Sequence, residues 1–385
     1  MLEPKGIDHF GRKRFTGRSL VALPHTEQDR HRISFFVDQL AEMSSTRFAF
    51  EGSGSQFMEN TEVFPEFGVA SVPLDPTALK NHYYDHPADR LVVERERFVY
   101  APMPLECGTE TPDPLGEMKV HASTASGKGV RVAVLDTGYA DHPELTGRVV
   151  DSAYYTGPSA GDTDGHGTHC IGLVCGPKAP TGTPDRFGIA YEAEILNVRV
   201  LKNRIDGQDS DVMAGMLWAW QHGANIISMS LGSGVQVDEP YNFIYEIVAR
   251  ILLDAGVLSI AAAGNDPLGA RYPVECPANS PSIMAVGAVA HDFKYWDRSC
   301  ISANDCQSVD VVAPGECILS TSLGGLFAQE SGTSMATAYA AGIAALWAER
   351  GYHGLKLWDA VRDSPDPTRV VGTTREVGRG IITAP

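Results

Sequence analysis

From residue 130 onward the apolar residues gather into short, nearly unbroken runs: VRVAVLD (130–136), ILNVRVL (195–201), NIISMSL (225–231), VLSIAAAG (257–264), IMAVGAV (283–289) and VDVVAPG (309–315). A strand covered on both faces has this pattern, because neither face alternates with water. Longer stretches with helical spacing separate several of the runs, for example DVMAGMLWAWQHG (211–223) and IYEIVARILLDAG (244–256). Strand and helix in alternation predict an α/β fold built on a doubly wound, mainly parallel sheet.

The first hundred residues are patterned differently. SLVALP (19–24) predicts a short strand, and Thr26 opens a helical stretch with Ile33, Phe36, Val37 and Leu40 on one face. Residues 61–73 predict a strand or hairpin. Asp75 before Pro76 predicts a helix start, with the helix running to about His86, and RLVVERERFVY (90–100) predicts a closing strand. Residues 1–100 therefore predict a small N-terminal α+β domain. Residues 101–118, APMPLECGTETPDPLGEM, are rich in proline, glycine and acidic side chains and predict an exposed linker. Residues 119–385 are left as the sheet domain.

A length of 385 residues suits this two-domain division. The formal net charge of −17 argues against a basic face for nucleic acid, and fits either solubility or basic peptide partners. No run of 18 apolar residues occurs, so no membrane span is expected. Residues 1–20 lack the apolar core of a secretory signal. That predicts a cytoplasmic protein, with export by a non-standard route as the alternative. The seven cysteines (107, 170, 175, 276, 300, 306 and 317) form no CxxC pair, which argues against zinc. Cys300 and Cys306 are close enough in sequence for a small loop bridge, whereas a cytoplasmic setting favours free thiols.

Four motifs fall at the ends of the predicted elements. VAVLDTG puts Asp136 at the end of a strand, DTDGHGTHC carries His166, AAAGND carries Asn265, and SGTSMAT carries Ser334 at the opening of a helix. Ligands of open α/β sheets bind beyond the carboxyl ends of the strands, where Asp136 and Asn265 are expected. Singly, each motif has an ordinary explanation as a turn, a core histidine or a helix cap. Together they supply a nucleophile, a base for its proton, a carboxylate to orient the base and an amide to face an oxyanion.

The order Asp, His, Ser and the motifs DTG, HGTH, SLG, AAAGN and GTSMAT resemble the subtilisin-like serine proteases (subtilases, peptidase family S8) over about residues 119–385. The resemblance implies a serine endopeptidase that cleaves polypeptides through an acyl-enzyme on Ser334. His166 would be the base, Asp136 its orienting partner, and Asn265 with the Ser334 N–H the oxyanion donors. It implies no cofactor for the chemistry. A structural calcium ion is left open, because residues 176–190 lack the family's asparagine-rich loop and Glu144 is one candidate ligand. Ser230, Leu231 and Gly232 resemble one substrate-binding strand, and Ile205, Asp206 and Gly207 the strand facing it. Tyr272-Pro273 resembles a cis-proline dipeptide near S1, the pocket for the residue (P1) whose carbonyl is attacked. That puts Arg271 at or near S1, where it would disfavour basic P1 side chains. Asp164 would border S2, and with Asp206 and Asp209 would favour basic residues further upstream. Ala338 stands where the family usually has proline, and alanine should let the Ser334 helix continue.

Residues 1–100 resemble, in the order of their elements, the inhibitor-like propeptide of subtilases. This implies a monomer held as a zymogen by its own N-terminal domain in cis, with the 101–118 segment occupying the cleft and carrying the candidate processing site, and released by autoprocessing. The other readings are a peptide ligase or leader-peptide processing enzyme using the same triad, a non-catalytic peptide-binding pseudoprotease, and a first domain that stays attached to recruit substrate.

Overall fold

All six apolar runs become strands of one sheet. The structure is a computed structural model and describes residues 12–22, 61–74, 92–101, 113–157, 161–183, 185–304, 308–365 and 369–385. Its strands in chain order are β1 (Phe15–Ala22), β2 (Glu62–Phe64), β3 (Val69–Val72), β4 (Val92–Val99), β5 (Arg131–Asp136), β6 (Val149–Tyr154), β7 (Glu194–Arg199), β8 (Leu201–Asn203), β9 (Asp206–Gln208), β10 (Ile226–Met229), β11 (Leu258–Ala262), β12 (Met284–Val289), β13 (Val311–Pro314), β14 (Ile318–Thr321) and β15 (Phe327–Glu330). The helices are α1 (Pro114–Glu117), α2 (His166–Cys175), α3 (Asp209–Gln221), α4 (Phe243–Asp254), α5 (Thr333–Glu349), α6 (Gly354–Arg362) and α7 (Thr374–Val377).

The central sheet has the order β13-β12-β11-β10-β5-β7-β6, and all its pairings are parallel. The chain steps from β5 to β6 and β7 on one side, then crosses through α3 to β10 on the other. The order reverses between β5 and β10, so a crevice opens at their carboxyl ends. The edge strand β6 was not foreseen, because its sequence VVDSAY is half exposed and shows no apolar run. Helices α2 and α5 pack on one another. Helix α5 is built largely of alanine and is almost wholly buried, and it runs unbroken through Ala338 as expected.

The N-terminal strands form an antiparallel sheet, β2-β3-β1-β4, packed against α3 and α4. Phe67 stacks on Trp220 of α3 with ring centroids 6.0 Å apart. The strands expected at 19–24, 61–73 and 90–100 are present as β1, β2 with β3, and β4. The helices expected after Thr26 and Asp75 lie outside the described residues. The sheet does not stop at β4: Phe98 pairs with Gln208 and Val99 with Gly207, which joins it to the β8–β9 hairpin of the larger unit. The 101–118 segment needs a correction. Ala101 is buried, and Asp113 caps α1 by accepting from the N–H groups of Leu115 and Gly116, both at 3.1 Å. Leu115 and Met118 are buried, so this end of the segment is packed rather than exposed.

Four ionic side chains lock the two units together. Arg97 Nη2 donates to Glu239 Oε1 at 2.6 Å, and Arg14 Nη2 donates to Glu239 Oε2. The Arg97 N–H donates to Asp209 Oδ2 at 2.7 Å, and the Tyr245 hydroxyl to Asp209 Oδ1 at 2.9 Å. Burial pushes the Asp209 carboxyl up to about 7 against the pull of Arg97. Removing one partner of a buried ion pair strands the other, at about 3–5 kcal/mol. Glu239→Gln should therefore lower the urea midpoint at which residues 12–101 come off the larger unit, followed by protease sensitivity of the N-terminal strands. An unchanged midpoint would show that apolar packing, not this network, holds the units together.

Candidate active site

Asp136 ends β5 at the point where the sheet order reverses, and its Oδ1 lies 2.7 Å from His166 Nδ1. Both side chains are about 1% exposed. This contact puts the imidazole proton on Nδ1 and turns the Nε2 lone pair to the other side. Nε2 is buried and has no hydrogen-bond partner among the described residues. Burial alone would lower the His166 pKa, but the neighbouring Asp136 carboxylate outweighs it and the pKa is raised.

The start of α2 is shaped to hold that histidine. Gly165 precedes it at φ +100, a left-handed conformation that favours glycine. A Cβ on Gly167 would sit 2.2 Å from the carbonyl oxygen of Gly138, so only glycine lets α2 approach the β5 loop this closely. Asp162, buried ahead of the helix, accepts from Asp164 N, Gly165 N, Thr168 N, Thr168 Oγ1 and Thr137 Oγ1 at 2.8–3.0 Å. It caps α2 and ties it to Thr137 beside Asp136. The sequence reading missed Asp162, although an aspartate a few residues ahead of a helix start is a recognisable capping signal.

Ser334 occupies the first turn of α5, where backbone N–H groups lack intrahelical partners and the helix dipole is positive. Its hydroxyl donates to Ser230 O at 3.4 Å, a long bond that leaves it able to rotate, and Ser230 Oγ donates to Ser334 O at 3.0 Å. Asn265 follows β11. Its Oδ1 accepts from Thr333 N at 3.0 Å and Thr333 Oγ1 at 2.9 Å, which fixes the orientation of the amide. Nδ2 is then the outward group; it is buried, without a partner among the described residues, and close to Gly332 in front of Ser334. Cys170, one turn along α2 from His166, has its thiol pushed well above the ordinary range by burial and by Asp136, so it stays protonated. Ser334 Oγ is turned to Ser230 O and makes no hydrogen bond to His166 Nε2 in this structure. Rotation of the hydroxyl toward that unpartnered nitrogen would let the imidazole take its proton, with Asn265 Nδ2 and the Ser334 N–H as the donors for a developing oxyanion.

The remaining expected site residues are placed as follows. Ser230, Leu231 and Gly232 continue β10 along one edge of the crevice, and all three are buried. Ile205, Asp206 and Gly207 lie on the β8–β9 hairpin; Ile205 and Asp206 are exposed, and Asp206 is 3.7 Å from Lys202. Asp164 accepts from Arg204 Nε at 2.7 Å, and Arg204 also grips Glu330 with both terminal nitrogens at 3.0 and 2.8 Å. Burial would raise the Glu330 pKa, but the paired Arg204 brings it down to about 2. Arg204, absent from the sequence reading, thus takes up the Asp164 charge expected to read substrate. Arg271 is corrected: its guanidinium donates to Glu376 at 2.5 Å and lies over the Tyr295 ring. The cis X-Pro bond among the described residues is Cys276-Pro277, not Tyr272-Pro273.

One carboxylate oxygen of Glu144, the candidate calcium ligand, is already taken up. Its Oε1 accepts from Thr181 N, Thr181 Oγ1 and Gly182 N at 2.6–2.7 Å, and three donors turned toward that oxygen would repel a cation. Cys170, Cys175, Cys276, Cys300 and Cys317 are free, buried thiols, and Cys306 lies outside the described residues. No helix among the described residues is long and apolar enough to cross a membrane.

A base must be neutral to act, and the His166 pKa is raised above its ordinary value of 6.5. The acid limb of kcat/KM should therefore have its midpoint above 6.5, with activity falling as pH drops through it. A midpoint at or below 6.5 would mean that Asp136 does not stabilise the imidazolium.

Residues 127–363 match the Subtilase family, peptidase S8. The chain is 38% identical over 229 residues to an intracellular serine protease of Paenibacillus polymyxa, covering 57% of this chain and 67% of that one. It is 32% identical over 278 residues to Subtilisin Savinase of Lederbergia lenta, covering 70% and 97%. Among solved structures, that of a cold adapted subtilisin-like serine proteinase superposes with a TM-score of 0.55 at 30% identity, over 68% of this chain and 89% of the other. With the family match spanning well over half of its length and the serine proteases among its relatives, the chain belongs to the subtilase family of serine endopeptidases.

Proposed function

We propose that Ser334 is the nucleophile of an endopeptidase held inactive by its own N-terminal domain, which it cuts away. His166 takes the Ser334 proton as the hydroxyl attacks a peptide carbonyl and returns it to the leaving amine. Asp136 holds the imidazole in the Nδ1–H tautomer and offsets the positive charge that forms. The tetrahedral oxygen sits between Asn265 Nδ2 and the Ser334 N–H. The acyl-enzyme is then hydrolysed by water through the same base.

The observation that carries the inhibitory part is the course of the chain beyond β4. Tyr100 and Gly232 exchange both backbone hydrogen bonds at 2.9 Å, and the Ala101 N–H donates to Arg204 O at 2.9 Å. With Val99 opposite Gly207, residues 98–101 form a strand between the two edges of the crevice, in the manner of an extended substrate. The described part of the occupying segment is the end of the first domain together with Ala101, the first residue of the 101–118 stretch. Cleavage just beyond Ala101 would release the domain. The free, buried thiols, and the similarity to an intracellular serine protease of P. polymyxa, support a cytoplasmic location.

Ser334→Ala protein should remain at its full 41.4 kDa and show no turnover, while wild type recovered from the cytoplasmic fraction should be smaller by about 11 kDa. A wild type that stays full length and is fully active would make the first domain a permanent recruiting module. Asn265→Ala should lower kcat by about 10²–10³, the loss that removal of the corresponding donor causes in subtilisin. A change confined to KM would remove Asn265 from the oxyanion site.

A further inference from the structure

Glu275 occupies a place in the crevice that the triad chemistry does not explain. Its N–H donates to Ala263 O at 2.9 Å, and the next residue, Cys276, exchanges both backbone hydrogen bonds with Ser233 at 2.7 and 3.1 Å. Glu275 is therefore laced between the segment that follows β10 and the segment that follows β11. Its side chain is 5% exposed. A Cβ on Gly232 would lie 2.6 Å from Glu275 Oε2, and a Cβ on Gly264 would lie 2.6 Å from its Cδ and 3.0 Å from Oε2. Two glycines thus wall a slot with a carboxylate in it, one residue before the Asn265 amide.

The backbone register says which part of a peptide reaches this slot. Tyr100 pairs with Gly232 in antiparallel fashion, so a peptide in the cleft has its residue two positions further on opposite Ser230. Ser230 O is the atom that Ser334 Oγ contacts, so that residue carries the carbonyl nearest the nucleophile. Directly opposed residues of an antiparallel pair project to the same face, as do residues two apart on one strand. The side chain of the attacked residue therefore projects to the face toward which a Gly232 Cβ would point, and Glu275 Oε2 lies there.

From this juxtaposition we infer that Glu275 selects a cationic P1 side chain, so that polypeptides attacked in trans are cut after lysine or arginine. The tethered 102–118 segment, which has neither residue, is cut in cis, where its high effective concentration offsets a poor P1 side chain. A carboxylate in so enclosed a place forms a strong charge-assisted bond with an ammonium or guanidinium and repels an acidic side chain. Arg271, the cation the sequence put near this pocket, is committed to Glu376 and does not oppose the selection.

The inference rests on Ser334 being the nucleophile, and the test keeps the two apart. Processed wild type and Glu275→Gln protein are assayed on peptides that differ only at P1, with Arg, Lys, Leu, Phe or Glu. Each rate is normalised by titrating Ser334 with a fluorophosphonate. Wild type should cut after Arg or Lys at least about tenfold faster than after Leu or Phe, with Glu poorest, and benzamidine should compete. Glu275→Gln should lose about 30-fold or more in kcat/KM for Arg and Lys, and far less for Leu. A wild type that prefers Leu, Phe or Glu overturns the inference even where the variant fails to fold. So does a titratable Glu275→Gln enzyme that keeps its Arg preference. Failure of the fluorophosphonate to titrate wild type would instead refute the assignment of Ser334.

Discussion

A 2.7 Å contact between Asp136 Oδ1 and His166 Nδ1, closed off from water, sets what the rest of the site must do. A carboxylate is costly to bury, so it must come with partners, and the parallel sheet supplies them at the carboxyl end of β5. Thr137 N donates to the same Oδ1 at 2.7 Å. Asp162 then ties Thr137 to the start of α2, so strand end and helix start cannot drift apart. The bare Cα of Gly167 against Gly138 O lets the helix come close enough for the contact to form. Sheet topology, cap and glycine together fix the proton on Nδ1 and the lone pair on Nε2.

The cleft is a second constraint, made of backbone rather than side chains. Its edges, the β8–β9 hairpin and residues 230–232, carry free pairing capacity that any extended peptide can satisfy. An exposed pair of strand edges is a hazard to a protease and to its neighbours alike. The N-terminal sheet meets that hazard by running its last strand into the gap. Main-chain pairing alone would hold any peptide equally well. The buried Arg14, Arg97, Glu239 and Asp209 network adds a contact that only this domain makes. Arg204 links the two themes, since its carbonyl pairs with the occupying strand while its guanidinium bridges Asp164 and Glu330.

Much of this was legible in the sequence. The strands of the parallel sheet announce themselves because burial on both faces leaves unbroken apolar runs. Asp136, His166, Asn265 and Ser334 announce themselves because each sits where such a run ends or a helix begins. The half-exposed β6 could not be read, since an edge strand with one wet face and six residues has too little pattern. Arg271 and Glu275 show a deeper limit. They are four residues apart in one loop, and linear order does not say which turns into the crevice. Tertiary pairing decides it: the backbone of Glu275 bonds Ala263 and that of Cys276 bonds Ser233, while the Arg271 side chain reaches Glu376. Arg204 was hidden for a similar reason, because its partners stand 40 and 126 residues away.

The central claim is that the buried Asp136–His166 pair activates one serine. Mass-spectrometric mapping of the fluorophosphonate adduct on processed enzyme tests it most directly. The account predicts a single adduct, on the peptide containing Ser334, and its near-complete loss in folded His166→Ala protein. An adduct on another residue, or undiminished labelling of Ser334 without His166, would contradict it.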